Sequence, residues 1–352
     1  MDSRHKRAYL SGPYDLKLKD VETPKVSGEQ VLVEVKAAGI CGSDVACYTG
    51  KSKEGRYDIA PYVPGHEWSG EVVDVGENIL TLKKGDRVTS DCCLPCNRCD
   101  NCKDGLNPAY CKNLREVGFM PHAPGGMGEF LVIEEPFLHK LSDDMTYEEG
   151  ALVEPFSVSY FGIWGDGGYV DASDEVLIFG AGPIGLFAGV VAKVAGARVI
   201  TVDPIKYRRE MAAKLGVDEV IDPETQNVRE LISDLTKGRG INLVVECSGT
   251  NEAIALAFDI AAHGARIRFI GHSIGRKVPV EIGLSIWKGL FLHGHAGSPC
   301  FFPRTIKFMT RAKTRINYSQ VIIHKFPLER IREAFDLAEK EKERTVKIML
   351  MI

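Results

Sequence analysis

The stretch from Glu175 to Asp203 constrains this chain more than any other. Glu175-Val176-Leu177-Ile178-Phe179 is an almost continuous apolar run, the pattern of a strand buried on both faces. Gly180-Ala181-Gly182-Pro183-Ile184-Gly185 follows it, and a helical stretch runs from Pro183 to Ala195. Arg198 to Asp203 reads as a second strand ending on an acid. Glycines between a buried strand and a helix allow a tight turn and a close approach of backbone to a pyrophosphate. The free N–H groups at the helix start suit its charge. An acid about twenty residues on completes that fingerprint. Asp203 in this role accepts the hydroxyls of an adenosine ribose and repels a 2′-phosphate, which predicts NAD rather than NADP. The candidate cofactor-binding residues are Gly180, Gly182, Pro183, Ile184, Gly185, Asp203 and Arg208. Arg208 and its neighbour Arg209 also leave an open route for a phosphate.

The rest of the chain is organised around that stretch. Residues 243–247 and 265–270 read as further buried strands with helical segments between them. Alternating strands and helices indicate a doubly wound parallel sheet. Before residue 154 the rhythm differs. Gln30 to Lys36, Gly70 to Gly76 and Gly85 to Val88 alternate apolar and polar residues and are bounded by glycine, as in a small barrel or sandwich. The segment 326–340 reads as a short helix and 344–350 as a closing strand. The plan is therefore a catalytic β domain over 1–154, an inserted dinucleotide domain over 155–292, and a return to the first domain over 293–352. At 352 residues the chain exceeds what one core usually supports, which agrees with two domains.

Composition excludes several roles. The formal net charge of -4 argues against nucleic acid or an anionic membrane as the main partner. The longest apolar run, Val176 to Ala192, carries four glycines and a proline, unlike a membrane span of roughly 20 unbroken apolar residues. Met1 to Arg7 is charged and lacks the apolar stretch of a secretory signal. The expectation is a cytoplasmic protein.

The 10 cysteines cluster unevenly. Cys96-x-x-Cys99-x-x-Cys102 followed by Cys111 is a four-thiolate set on one loop, the pattern of a closed, structural zinc site. Lys103 and Arg98 lie beside it and offset its negative charge. Cys92 and Cys93 read as strand-end residues outside the set. The remaining pieces are Gly39-Ile40-Cys41-Gly42-Ser43-Asp44, Pro64-Gly65-His66-Glu67-Trp68-Ser69-Gly70 and Leu152-Val153-Glu154-Pro155. Each alone is bland: a lone cysteine is usually a small core residue, and a Glu-Pro pair is usually a loop.

Together and in this order, with the cysteine loop and the glycine turn, these pieces resemble the zinc-containing medium-chain alcohol dehydrogenases. The resemblance covers nearly the whole chain. It implies a GroES-like, partly open β-barrel catalytic domain with an inserted Rossmann domain, and a zinc-dependent transfer of hydride between an alcohol and NAD. Cys41 and His66 match the first two ligands of the family's catalytic zinc. Horse-liver-type enzymes have a third, cysteine ligand further on; this chain has Glu154 in that region. That departure resembles the sorbitol and threonine dehydrogenase branch, which implies Glu67 as the third ligand and Glu154 as an alternating or water-mediated fourth. The same resemblance implies that Asp44 orients His66, that Ser43 passes the substrate proton outward, and that catalysis involves Ser43, Glu67 and Glu154. A histidine that extends the relay in many relatives is replaced by Ala46. The metal would act as a Lewis acid on the substrate hydroxyl. Glu116-Val117-Gly118-Phe119 and the Trp68 string also resemble dehydrogenases of cyclitols and amino-cyclitols. The expected substrate is a polyol, sugar alcohol or cyclitol, and the expected assembly is a homo-oligomer, a tetramer or dimer. The alternatives are a threonine dehydrogenase-like or general alcohol dehydrogenase, a relative that binds dinucleotide without chemistry, and a zinc-ribbon interaction module fused to a Rossmann domain. The intact set of Cys41, Ser43, His66, Glu67 and Glu154 speaks against the inactive relative, and the net acidity and the second metal site speak against the interaction module.

Overall fold

The computed structural model describes residues 4–52, 60–271, 275, 277–295, 297–298 and 300–352. The first three residues of the charged N-terminus lie outside these. The chain forms two compact units, one from residues 1–154, 299–310 and 322–352, the other from 155–298 and 311–321.

The first unit is built on a mixed seven-stranded sheet. Its centre is the strand Gln30–Ile40, buried along its length except at Gln30, Glu34 and Lys36, which are half-buried. Strand Glu67–Val75 pairs antiparallel along one edge of it. Phe130–Glu134 and then Lys347–Met351 share the other edge. The core beneath includes Val33, Val35, Trp68, Val88 and Leu350, all almost fully buried. Residues 326–340 depart from the single helix expected of them. Ile322–Pro327 is a strand and the α-helix begins only at Ile331, after a 3-10 turn over Leu328–Arg330. Pro327 accounts for the late start, because a proline holds the residue before it, Phe326, in extended backbone.

The second unit is a six-stranded parallel sheet. In spatial order its strands are Glu219–Ile221, Arg198–Val202, Glu175–Phe179, Ile241–Glu246, Ala261–Phe269 and Phe291–Gly294. The strand order reverses beside Glu175–Phe179, the position at which doubly wound sheets bind dinucleotides. Val176, Leu177, Ile178, Val244 and Val245 are fully buried, which is why these strands read as unbroken apolar runs rather than alternating ones. Among the described residues no helix is long and apolar enough to cross a membrane.

Candidate active site

Strand Gln30–Ile40 ends at Cys41, and strand Glu67–Val75 begins immediately after His66. Gly39 stands directly opposite Glu67 in the antiparallel ladder, so the pairing of these two strands brings the three residues together. One donor atom each of Cys41, His66 and Glu67 lies within 4.8 Å of the others. His66 and Glu67 are buried. A thiol, an imidazole and a carboxylate at this spacing fit a zinc ion with a position left open for substrate.

The surroundings support that fit. Cys41 caps the short helix Gly42–Tyr48, and Asp44 on its first turn accepts the Cys41 N–H at 3.0 Å. The other oxygen of Asp44 lies 3.7 Å from His66 Nδ1, and neither atom has a hydrogen-bond partner. This places a buried carboxylate behind the imidazole, the usual arrangement for a ligand histidine. Phe119 stacks on the His66 ring with centroids 4.9 Å apart. Lys347, 2 % exposed, reaches in from the opposite edge of the sheet and donates to both Glu67 oxygens, at 2.7 and 2.6 Å. Burial alone would push the Lys347 ammonium down, but Glu67, Cys41 and Glu154 hold it above its usual value. Glu154, on the first turn of the helix Val153–Trp164, stands outside the 4.8 Å set. Burial raises its carboxyl to about 7, with Glu67 and Asp44 pushing the same way and His66 and Lys347 opposing them. Ser43 is exposed on the helix after Cys41. Ala46 occupies the next turn of that helix. Phe119 and Lys347 were not legible as site residues from the sequence.

The four cysteines of the loop form a second donor set, again within 4.8 Å. None of the cysteines among the described residues is in a disulfide. Cys99 Sγ lies 3.4 Å from Cys102 Sγ and 3.9 Å from Cys111 Sγ. Backbone N–H groups of Cys96, Cys99 and Asn113 point at sulfurs of the set. Their effects pull the thiols apart. N–H groups of Arg98 and Cys99 lower Cys96 to about 6, while desolvation and the neighbouring sulfurs push Cys102 up to about 12. Four sulfurs at this distance cannot all carry charge without a cation between them, so the set fits a zinc ion of the closed kind. Cys93 lies in the two-residue strand Cys93–Leu94 and Cys92 sits just before it, outside the set. A third group, Asp166, His293 and His295, also converges within 4.8 Å. There the Arg268 guanidinium stands 3.3 Å from His295 Nε2, a fixed cation where an ion would have to sit, and we assign it no metal.

In the second unit the glycine turn joins Glu175–Phe179 to the helix Pro183–Val194. Gly180 has φ +90°, which favours glycine. A Cβ on Gly185 would fall 1.8 Å from the Gly180 carbonyl, so the helix can approach the strand only with glycine there. Gly182 is the N-cap and no side chain caps the helix. Space is open around it, leaving the first N–H groups, with Pro183 and Ile184 on the first turn, for a phosphate. Asp203, 3 % exposed, accepts the Ala181 N–H at 2.7 Å and the Ile205 N–H at 2.8 Å. It thus ties the end of its strand to the glycine turn. Arg209 is committed to Asp222, at 2.7 Å, and to the Asp203 carbonyl. Arg208 Nε has no partner.

Residues 27–143 match the alcohol dehydrogenase GroES-like domain and residues 183–310 match the zinc-binding dehydrogenase family. The chain is 30% identical to the D-arabitol-phosphate dehydrogenase of Enterococcus avium, over 94% of this chain and 92% of that one. It is 28% identical to the sorbitol dehydrogenase of Bacillus subtilis (strain 168), over 98% and 96%. A solved alcohol dehydrogenase of Escherichia coli CFT073, complexed with NADH, superposes with a TM-score of 0.90 at 29% identity, covering 99% of this chain and 100% of that one. The chain belongs to the zinc-dependent medium-chain alcohol dehydrogenases, with a GroES-like and a Rossmann domain, in the branch of the polyol, sorbitol and threonine dehydrogenases, and it is an alcohol oxidoreductase that works with zinc and a nicotinamide cofactor.

Proposed function

We propose that the protein transfers hydride between a polyhydroxylated secondary alcohol and NAD, using one catalytic and one structural zinc per chain. The observation that carries this reading is the buried convergence of Cys41, His66 and Glu67. A carboxylate stands there in place of a second thiolate, in a chain whose relatives include enzymes named for arabitol phosphate and sorbitol. Cys41, His66 and Glu67 would hold the catalytic ion, with Glu154 as a fourth, alternating or water-mediated partner. Cys96, Cys99, Cys102 and Cys111 would hold the structural one.

A zinc ion at the first set supplies Lewis-acid polarisation of a substrate hydroxyl. The chain's own residues do the rest. Asp44 fixes the His66 ring. Ser43 Oγ, two residues from Cys41, receives the substrate proton and passes it to solvent, since Ala46 offers no further relay. In the inserted domain, which we assign to 155–292, Gly180, Gly182, Pro183, Ile184 and Gly185 hold the pyrophosphate. Asp203 takes the adenosine ribose and repels a 2′-phosphate, supporting NAD over NADP. The preference rests on Asp203, since solved relatives hold either NADH or NADP. Arg208 lines the same ribose. Residues 1–154 with the return over 293–352 form the catalytic domain.

Ten cysteines, none of them in a disulfide among the described residues, support a reducing, cytoplasmic setting. Ile286 at 81% exposure and Trp287 at 77% on the helix Ile282–Lys288, and Phe291 at 68% on the edge strand of the parallel sheet, are large exposed apolar residues. Such an edge is normally covered, which supports a homo-oligomer, a dimer or tetramer. The test of function is a spectrophotometric screen of polyols, cyclitols, amino alcohols and threonine with NAD and NADP. Sorbitol- or inositol-like compounds should react with NAD and ethanol poorly, because a site built to bond several hydroxyls leaves groups unpaired around ethanol. Efficient ethanol oxidation without activity on any polyol or cyclitol would return the protein to the general alcohol dehydrogenases. Efficient use of threonine alone would move it to that neighbouring activity.

A further inference from the structure

Lys347 is a buried charged residue at the metal-competent set that neither the motif pattern nor the proposed chemistry uses. It begins strand Lys347–Met351, which pairs with Gln30–Ile40 on the edge opposite Glu67–Val75. Lys347 and Glu67 therefore approach from the two flanking strands and meet across Gly39. A Cβ on Gly39 would lie 2.2 Å from Glu67 Oε2, so the missing side chain is what lets the two meet. An ammonium has three donors. Here two go to the Glu67 oxygens and the third, at 3.2 Å, to the Ile40 carbonyl beside Cys41. The pair is sealed, with side-chain exposures of 2% and 1%.

Glu67 thus faces two cations. Its oxygens already answer Lys347, and one of them also lies within 4.8 Å of the Cys41 and His66 donors. We infer that Lys347 is a positioning residue that shares Glu67 with the catalytic metal and weakens it as a ligand, so that Glu67 yields its place when a substrate oxygen arrives. The inference rests on the reading of Cys41, His66 and Glu67 as the catalytic metal site. It differs in sign from the ordinary role of outer partners. A group that orients a ligand strengthens metal binding, and its loss usually costs about 10- to 100-fold in affinity. A cation competing for the ligand does the reverse.

The test is zinc release from the intact protein into a chromophoric chelator, with the catalytic phase identified as the one missing from Cys41→Ser. Lys347→Met should slow that phase and tighten zinc by about tenfold or more, the same range with opposite sign. Lys347→Arg, which keeps the cation, should stay near wild type. The double variant Glu67→Gln/Lys347→Met should lose the gain. With Co²⁺ in place of zinc, Lys347→Met should change the visible absorption by adding a firmly held carboxylate, and Lys347→Arg should not. Weaker or unchanged zinc binding in Lys347→Met, with an unchanged cobalt spectrum, would overturn the inference. If Lys347→Met does not fold, Lys347→Gln, which keeps a donor for the Ile40 carbonyl, carries the same expectation and the same refutation. If Cys41→Ser removes no phase at all, the reading of the metal site itself fails, separately from the role of Lys347.

Discussion

The two metal-competent sets of this molecule differ in how the chain assembles them. The cysteine loop collects four like donors from Cys96 to Cys111, and its geometry is local: backbone N–H groups of the same loop point at the sulfurs. The Cys41–His66–Glu67 set collects three unlike donors from the facing ends of two strands. A lysine 280 residues away in the sequence from Glu67 completes it. The first has all four positions filled by thiols. The second has three, with a cation restraining one of them. A closed tetrathiolate holds structure, and an open mixed site leaves a place for substrate. On the proposed reading, the chain invests rigidity in one and exchangeability in the other.

Breaking the cysteine loop should have the largest effect. Cys99→Ser should lose one zinc and lower the melting temperature by on the order of 5–10 °C, as loss of a few kcal/mol does in a domain of this size. Differential scanning calorimetry checks it, and an unchanged melting temperature would remove the structural role. Glu67→Ala should release or loosen the other zinc and leave the thiolate set loaded, and because it strips buried Lys347 of its partner it should also lower stability. Elemental analysis beside circular dichroism separates the two outcomes.

Smaller effects sharpen the contrast within the catalytic half. Ser43→Ala should lower kcat by about 10²-fold or more, within the range of proton-transfer contributions, with NAD affinity unchanged by fluorescence titration. A kcat near wild type would mean that another group carries the proton. Asp203→Ser should narrow or reverse the preference for NAD, measured as the ratio of kcat/KM for the two cofactors. If wild type already favours NADP, Asp203 does not hold the ribose as proposed.

How much of this was legible in the sequence follows the same division. The glycine turn and the cysteine loop are local, so residue spacing encodes their geometry, and Gly180 to Gly185 and Cys96 to Cys111 could be read directly. The parallel strands were legible because burial on both faces leaves an apolar run. The set at Cys41 was not legible from the residues themselves. A lone cysteine and a lone histidine carry no spacing, and only the family resemblance joined them. Lys347 was hidden altogether. Strand alternation says which residues share a face but not which face is buried, and a lysine between Val346 and Ile348 reads as solvent-facing. Phe119 belongs to the string Glu116-Val117-Gly118-Phe119, yet nothing in that string predicts its stack on His66. The helix start at Ile331 was missed because Pro327 lay inside a segment whose apolar period looked helical.

The account rests on two metal sites of different kind in one chain, and metal content tests it most directly. Elemental analysis of purified wild type, Cys99→Ser and Cys41→Ser should find zinc at two ions per chain in the first and one in each variant. The single ion kept by Cys99→Ser should exchange with added Co²⁺ faster than the one kept by Cys41→Ser. Equal zinc content in all three proteins would contradict it.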